Sequence, residues 1–134
     1  MRYLQIMLLF AVLALTGCVT STVRHIKAQP GEISSSGRRA VAHLEGMNSG
    51  VYLFYYIPIY SGKPGYPNRR EYDTFRNNLE PKHMKIMLNK YASRLKADAV
   101  EDLKITSASS GIWTLGILWK RSIHGTATAV KTKK

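Results

Sequence analysis

The chain is poor in the groups that most chemistry needs. It has a single cysteine, Cys18, so no disulfide can close within it and no multi-cysteine metal centre can be built. Stability must come from packing alone. Asp and Glu number only 8 against 20 Lys and Arg. The four histidines, His25, His43, His83 and His124, are scattered, and none forms a His-Glu-x-x-His pair or another short metal spacing. No Gly-rich phosphate loop occurs: Gly62-Lys63-Pro64-Gly65 contains proline and opens no helix. No Gly-x-Ser-x-Gly elbow occurs either. His43 and Glu45 stand two apart, as a proton-transfer pair could, but the same spacing puts them on one solvated strand face. These absences predict no catalytic site, no metal and no enzyme. Internal repeats are also lacking. Apolar residues run on without interruption by charge in only one long stretch, at the N-terminus.

That stretch has the three parts of a secretory signal. Arg2 supplies a short positive region, an apolar run covers residues 4–15 broken only by Gln5, and Thr16 and Gly17 are small. The run is shorter than the roughly 20 apolar residues that span a bilayer. It ends on Leu15-Thr16-Gly17-Cys18, which resembles the lipobox of bacterial lipoproteins. In that family a diacylglycerol is attached to the cysteine thiol, signal peptidase II cuts before the cysteine, and the new amino group is acylated. The resemblance implies recognition through Leu15, Thr16 and Gly17, with Cys18 as the lipidated first residue. It implies no cofactor beyond the covalent diacylglycerol and N-acyl chain. Two or more acyl chains hold a protein stably, at roughly 0.8 kcal/mol per buried CH₂. Aspartate after the cysteine retains members of the family in the inner membrane; Val19 stands here, which implies the outer membrane, with the periplasmic face expected ahead of the cell surface.

A net charge of +12 draws polyanions and steers association. In an envelope the candidates are anionic phospholipid, lipopolysaccharide and acidic proteins, and nucleic acid is not expected as a partner. The charge is spread over Arg38-Arg39, Arg69-Arg70, the lysines of 82–96, Lys120-Arg121 and the lysines of 131–134, which reads as a solvated surface.

Residues 18–37 are polar and broken by Pro30-Gly31 and Ser34-Ser35-Ser36-Gly37, the composition of a flexible tether, with room for a short helical or extended piece around Val23 to Ala28. With 1–17 as signal peptide, 38–134 remain as one small domain. A weak alternation over 39–47 predicts a strand, and Asn48-Ser49-Gly50 a turn. The run 51–60, rich in β-branched and aromatic residues, predicts one strand with Pro58 at an edge or bulge. A loop follows over 61–73. Met84, Met87, Leu88, Tyr91 and Leu95 repeat at helical spacing within 79–97, with Asn78 placed to cap and Pro81 tolerable in the first turn. Strands are predicted at 99–107, 112–121 and 126–132, with turns at 107–111 and 122–125. The expected fold is α+β: a mostly antiparallel sheet of four to five strands with one helix on a face, in the order β-β-α-β-β, with an optional final strand. Ala97-Asp98-Ala99-Val100 and the closing Gly125-Thr126-Ala127-Thr128-Ala129-Val130 are similar to the helix–strand junction and last strand of small α+β envelope lipoproteins of unknown function. Lys96 stands where those proteins carry glycine.

Tyrosines crowd one third of the chain, with Arg69 and Arg70 among them. Tyr and Arg are over-represented at binding hot spots, so Tyr52, Tyr56, Tyr66, Arg69, Arg70 and Tyr72 are the predicted contact residues. The expected role is non-catalytic: an anchored lipoprotein that binds an envelope protein as accessory to a complex. The alternatives are a binder of lipopolysaccharide or peptidoglycan, and a cell-envelope hydrolase.

Overall fold

A computed structural model describes residues 2–3, 5–7, 19–111 and 116–132. The first two stretches are helical. Leu15, Thr16, Gly17 and Cys18 lie outside the described residues, as do 112–115 at the start of a predicted strand. No helix among the described residues is long and apolar enough to cross a membrane.

Among the described residues, six strands and one long helix make up the domain. They are β1 (Ser21–Lys27), β2 (Arg39–Leu53), β3 (Ile57–Gly62), β4 (Tyr72–Thr74), α1 (Pro81–Arg94), β5 (Ala99–Ser110) and β6 (Leu118–Lys131). All strand pairs are antiparallel. The sheet runs β4-β3-β2-β6-β5, with β1 also paired to β2. The fold is mixed α+β, but four strands precede the helix and two follow it, which differs from the expected count and order.

Long β2 organises the rest. Its pairing with β6 extends from Arg39↔Lys131 to Leu53↔Leu118. Its other edge is shared end to end: β1 covers Ala42 to Asn48 and β3 covers Gly50 to Leu53. The predicted turn at Asn48-Ser49-Gly50 is therefore the middle of a strand. Turn-forming residues tolerate that position because the Asn48 amide nitrogen and the Ser49 hydroxyl find partners where β1 and β3 meet. Ser49 Oγ accepts from Thr20 N at 2.8 Å, and Asn48 Nδ2 donates to Gly62 O and Asn78 O at 3.0 Å each. Turn chemistry misleads in the same way at 122–125, which lies inside continuous β6.

The span 18–37 also differs from expectation. Strand pairing uses backbone groups, so a polar segment can pair if a few side chains find cover. Ser21 and Val23 are buried, and Ser21–Lys27 forms β1. Beyond it, Ser34 Oγ donates to Glu101 Oε2 at 2.6 Å, Ser35 Oγ donates to Asp102, and Arg38 pairs with Glu101 at 3.2 Å. The hydroxyls of Ser34 and Ser36, then the Arg38 charge, hold the Glu101 carboxyl below its ordinary range.

The helix packs on one sheet face. Met84, Met87, Leu88 and Ala92 meet Val23, Ala42, Leu44, Ile123, Ala127 and Ala129, at about 1.5–3 kcal/mol for each large side chain fully buried. Close approach depends on Gly46 and Gly125, which are cross-strand partners beneath the helix. A Cβ at Gly46 would lie 2.9 Å from Met84 Sδ, and one at Gly125 would lie 2.5 Å from Met84 Cγ. The N-cap is Glu80, with Pro81 in the first turn and no side-chain cap bond. Asn78, predicted as the cap, is instead buried and donates to Asp73 Oδ2 at 2.9 Å.

The helix ends in a Schellman turn, with Ala97 N donating to Ala92 O at 3.1 Å and Lys96 N to Ser93 O at 3.1 Å. Lys96 takes the left-handed conformation this turn requires, at φ 57°. Only glycine adopts it without a Cβ penalty. Lys96→Gly is expected to stabilise the domain by ~1 kcal/mol, seen as a higher urea midpoint at unchanged slope.

Candidate functional site

The predicted contact residues divide between two places. Tyr52 is in neither: it is fully buried, with its hydroxyl donating to Asn77 Oδ1 at 2.6 Å. It lies on central β2 beneath the Arg121 guanidinium, whose Cζ is 4.6 Å from its ring, so it serves the core and offers no contact surface. Burial pushes its hydroxyl above the ordinary tyrosine value, against the pull of Arg121.

The first place is the tip of the β2–β3 hairpin. The apolar run predicted as one strand breaks at Phe54, Tyr55 and Tyr56. Phe54 and Tyr55 have φ of 48° and 73°, where glycine or asparagine is usual in a hairpin turn. Each left-handed bulky residue costs roughly 1–2 kcal/mol, and such outliers persist only where the surroundings hold them. The hold is visible. Phe54 N donates to Ile117 O at 2.7 Å. Tyr55 stacks edge-on against Trp119 at 5.3 Å and Tyr56 at 5.2 Å. Arg121 lies 4.7 Å over the Tyr55 ring and donates to Tyr55 O at 3.4 Å. Fixing the turn from behind leaves Phe54 57% and Tyr56 79% exposed. Arg121 was not singled out from sequence, because only the β2–β6 register brings it to Tyr52 and Tyr55.

The second place is the loop between β3 and β4. Asn68, at φ 68°, continues the ladder past β1: its Oδ1 accepts from Val23 N at 2.8 Å and its Nδ2 donates to Val23 O at 2.9 Å. Three cations surround the Tyr66 ring, with Lys90 Nζ at 4.7 Å, Lys63 Nζ at 5.1 Å and Arg69 Cζ at 5.7 Å from its centre. Cation–π contacts of this kind are worth ~0.5–1 kcal/mol at exposed sites. Glu71 lies 3.8 Å from both Lys63 and Arg69. Arg69, Arg70 and Tyr72 line an open concavity of about 550 Å³ whose other wall is Val19, Thr20, Ser21 and Thr22.

The sheet face away from the helix carries a second open concavity, of about 580 Å³, with Arg24, His43, Glu45 and Thr126 on it. His43 and Glu45 are exposed there, and His43 Nε2 pairs with Glu32 at 2.7 Å. Among the described residues, no group of three His, Cys, Asp or Glu is placed to hold a metal ion. The arrangement offers aromatic rings, cations and an apolar tip, which suit binding. No protein family, curated protein or solved structure matches the chain.

Proposed function

We propose that the protein is an outer-membrane lipoprotein, acylated on Cys18, whose domain has a non-catalytic binding role at the periplasmic face as accessory to an envelope assembly. The observation that carries the reading is Leu15-Thr16-Gly17-Cys18 at the end of the apolar run. The fold adds support. Strand β1 begins three residues after Cys18, so acyl chains there would keep the domain close to a bilayer. The Tyr66 cluster, with Arg69 beside it, is the surface proposed for a protein partner. A photo-crosslinker replacing Tyr66 in intact cells is expected to capture one envelope protein. Loss of that product in an Arg69→Ala chain would tie the contact to this cluster, and no product at all would overturn the accessory role.

A second reading is direct polyanion binding, favoured by the three cations that converge on Tyr66. Salt separates the two. Contacts to phosphates weaken steeply as ionic strength rises, whereas an aromatic protein interface keeps its crosslink.

A further inference from the structure

Apart from Tyr66, the exposed aromatic residues of the domain are not scattered. They form a rim that begins beside Val19 and follows the outer edge of the sheet to the hairpin tip. Tyr72, on edge strand β4, is 48% exposed and stacks on Tyr60 at 6.4 Å. Phe75, one residue past β4, is 77% exposed and donates its N–H to Ile59 O at 3.0 Å. Ile57 is 51%, Tyr56 79% and Phe54 57% exposed. Ile117, bonded to Phe54 through its backbone, is 50% exposed. Elsewhere in the domain, exposed Ile26 on β1, Ile33 in the connection after it and Ile86 on α1 stand singly. A contiguous apolar patch on a folded domain marks a surface that something covers.

Three observations say what covers it. The first is strain. Of six non-glycine residues with positive φ among the described residues, two are the rim aromatics Phe54 and Phe75, and a third, Tyr55, lies between Phe54 and Tyr56. Bulky rings occupy the conformations where folding alone would choose glycine, so their value lies outside folding. The second is charge. Exposed Arg70 and Arg76 stand within two residues of Tyr72 and Phe75, while the nearest carboxylates are engaged. Glu71 lies against Lys63 and Arg69, and Asp73 accepts from Asn78. Glu32, Asp98, Glu101 and Asp102, half of the 8 acidic residues, lie at the opposite end of the sheet. The third is where the chain enters. Thr20 is clamped to Ser49 by bonds of 2.8 and 2.9 Å, and Val19 is only 6% exposed. Cys18 is one peptide link, about 3.8 Å between Cα atoms, from Val19. β1 runs away from the hairpin tip, so the chain before it arrives from the tip side.

We infer that this rim, from Tyr72 through Phe75 to Tyr56 and Phe54, docks into the interface of an anionic lipid bilayer, the surface to which the N-terminus is tied. The inference rests on the lipoprotein reading for its direction of approach. Aromatic rings settle at the headgroup level, and arginines beside them meet lipid phosphates, each worth about fivefold in affinity near an anionic surface. A tie this short leaves the domain little room to tumble, so the edge beside Val19 is the edge that meets lipid. The Tyr66 cluster and the polar sheet face stay available to a protein.

Cys18 is the only native thiol and is consumed by acylation, so an introduced cysteine can be labelled alone. The full chain is produced with Tyr56→Cys, Phe75→Cys, Ile33→Cys or Ile86→Cys and labelled with a fluorophore. It is then added to phosphatidylethanolamine–phosphatidylglycerol vesicles carrying a nitroxide lipid. Labels at 56 and 75 are expected to lose most of their emission, and those at 33 and 86 almost none. Replacing phosphatidylglycerol with phosphatidylcholine should reduce the loss at 75. So should Phe54→Gly with Tyr56→Ser, whose unfolding midpoint should not fall because strain at position 54 is relieved. Equal quenching at all four positions, or none at 56 and 75, would overturn the docking. The mass of the leading residue separates this from the anchor. Acyl mass without quenching at 56 and 75 sinks the docking and leaves the lipoprotein reading. Absent acyl mass sinks that reading, and the same four labels in a Cys18→Ser chain, which has no other thiol, then decide the docking on sedimented vesicles.

Discussion

A Cys18→Ser chain is expected to keep its first 17 residues and to accumulate as a single heavier species. Serine is close to cysteine in size, so an ordinary secretory signal would still be cut and the domain released. Only a signal read through the sulfur loses its processing when that atom is removed. In wild-type cells the mature protein should carry acyl mass on Cys18 and resist extraction by high salt and alkali. A single acyl chain binds marginally and a second makes the hold stable, at roughly 0.8 kcal/mol per buried CH₂. An exported chain that begins at Val19 after a conventional signal should lose that resistance and be released by salt, since only the arginines and the aromatic rim would remain to hold it. Retention is expected to differ by orders of magnitude between the two, measured by fractionation and intact mass. Continued cleavage of the Cys18→Ser chain would remove the foundation of the proposed function.

What the sequence revealed of the fold depended on whether cues were local. The helix was legible because Met84, Met87 and Leu88 repeat on one face and are buried together. The β character of 51–60 was legible from composition, but its break was not. A hairpin turn is usually announced by Asn-Gly, and here Phe54 and Tyr55 occupy the left-handed positions. In the same way, Asn48-Ser49-Gly50 announces a turn and is strand, because its cover comes from Thr20, Gly62 and Asn78, distant in sequence. β1 was legible only as a short piece, helical or extended, around Val23 to Ala28, because a polar strand takes its order from the long neighbour that recruits it. The glycine pair Gly46 and Gly125 could not be recognised before the β2–β6 register placed both beneath Met84.

Exposed rings were legible in composition and not in arrangement. Tyrosines crowd one third of the chain, and of those expected to make contacts Tyr56, Tyr66 and Tyr72 are exposed. A single strand over 51–60 would put Tyr52 and Tyr56 on one face, whereas the turn between them sends Tyr52 into the core and Tyr56 into solvent. Phe75, Ile117 and Arg121 were passed over because each joins the tip through a distant strand: Phe75 through Ile59, Ile117 through Phe54, and Arg121 through Tyr55. The basic excess acquires direction only once Glu101 and Asp102 are seen bound to the serines of 34–36, far from the arginines of 69 and 70.

Asn48→Asp is expected to unfold the domain more readily than Asn48→Ala, although it changes a single group. Asn48 is 1% exposed and acts as a donor: Nδ2 serves the carbonyls of Gly62 and Asn78, while Oδ1 accepts nothing among the described residues. Those bonds join the end of β3 to the entry of the helix, beside the start of β1. Alanine leaves two acceptors short of a donor, one of them still reached by Asn78 Nδ2 at 3.3 Å, for a loss of roughly 1–3 kcal/mol. A carboxylate has no proton to offer and would press a buried charge against the same two oxygens, at about 3–5 kcal/mol. Small domains hold only ~5–15 kcal/mol in all. Burial would raise the folded-state pKa of the introduced acid above its unfolded value. The penalty is then fully present at neutral pH, shrinks as pH falls through the folded-state value, and is least below the ordinary carboxylate range. There the acid is neutral in both states, and its hydroxyl can donate to one carbonyl. Urea midpoints of the Asn48→Asp and Asn48→Ala proteins, each referred to wild type, should therefore converge or cross on acidification. Parallel lines across pH would mean that the junction of β1, β3 and the helix is held by something other than this amide.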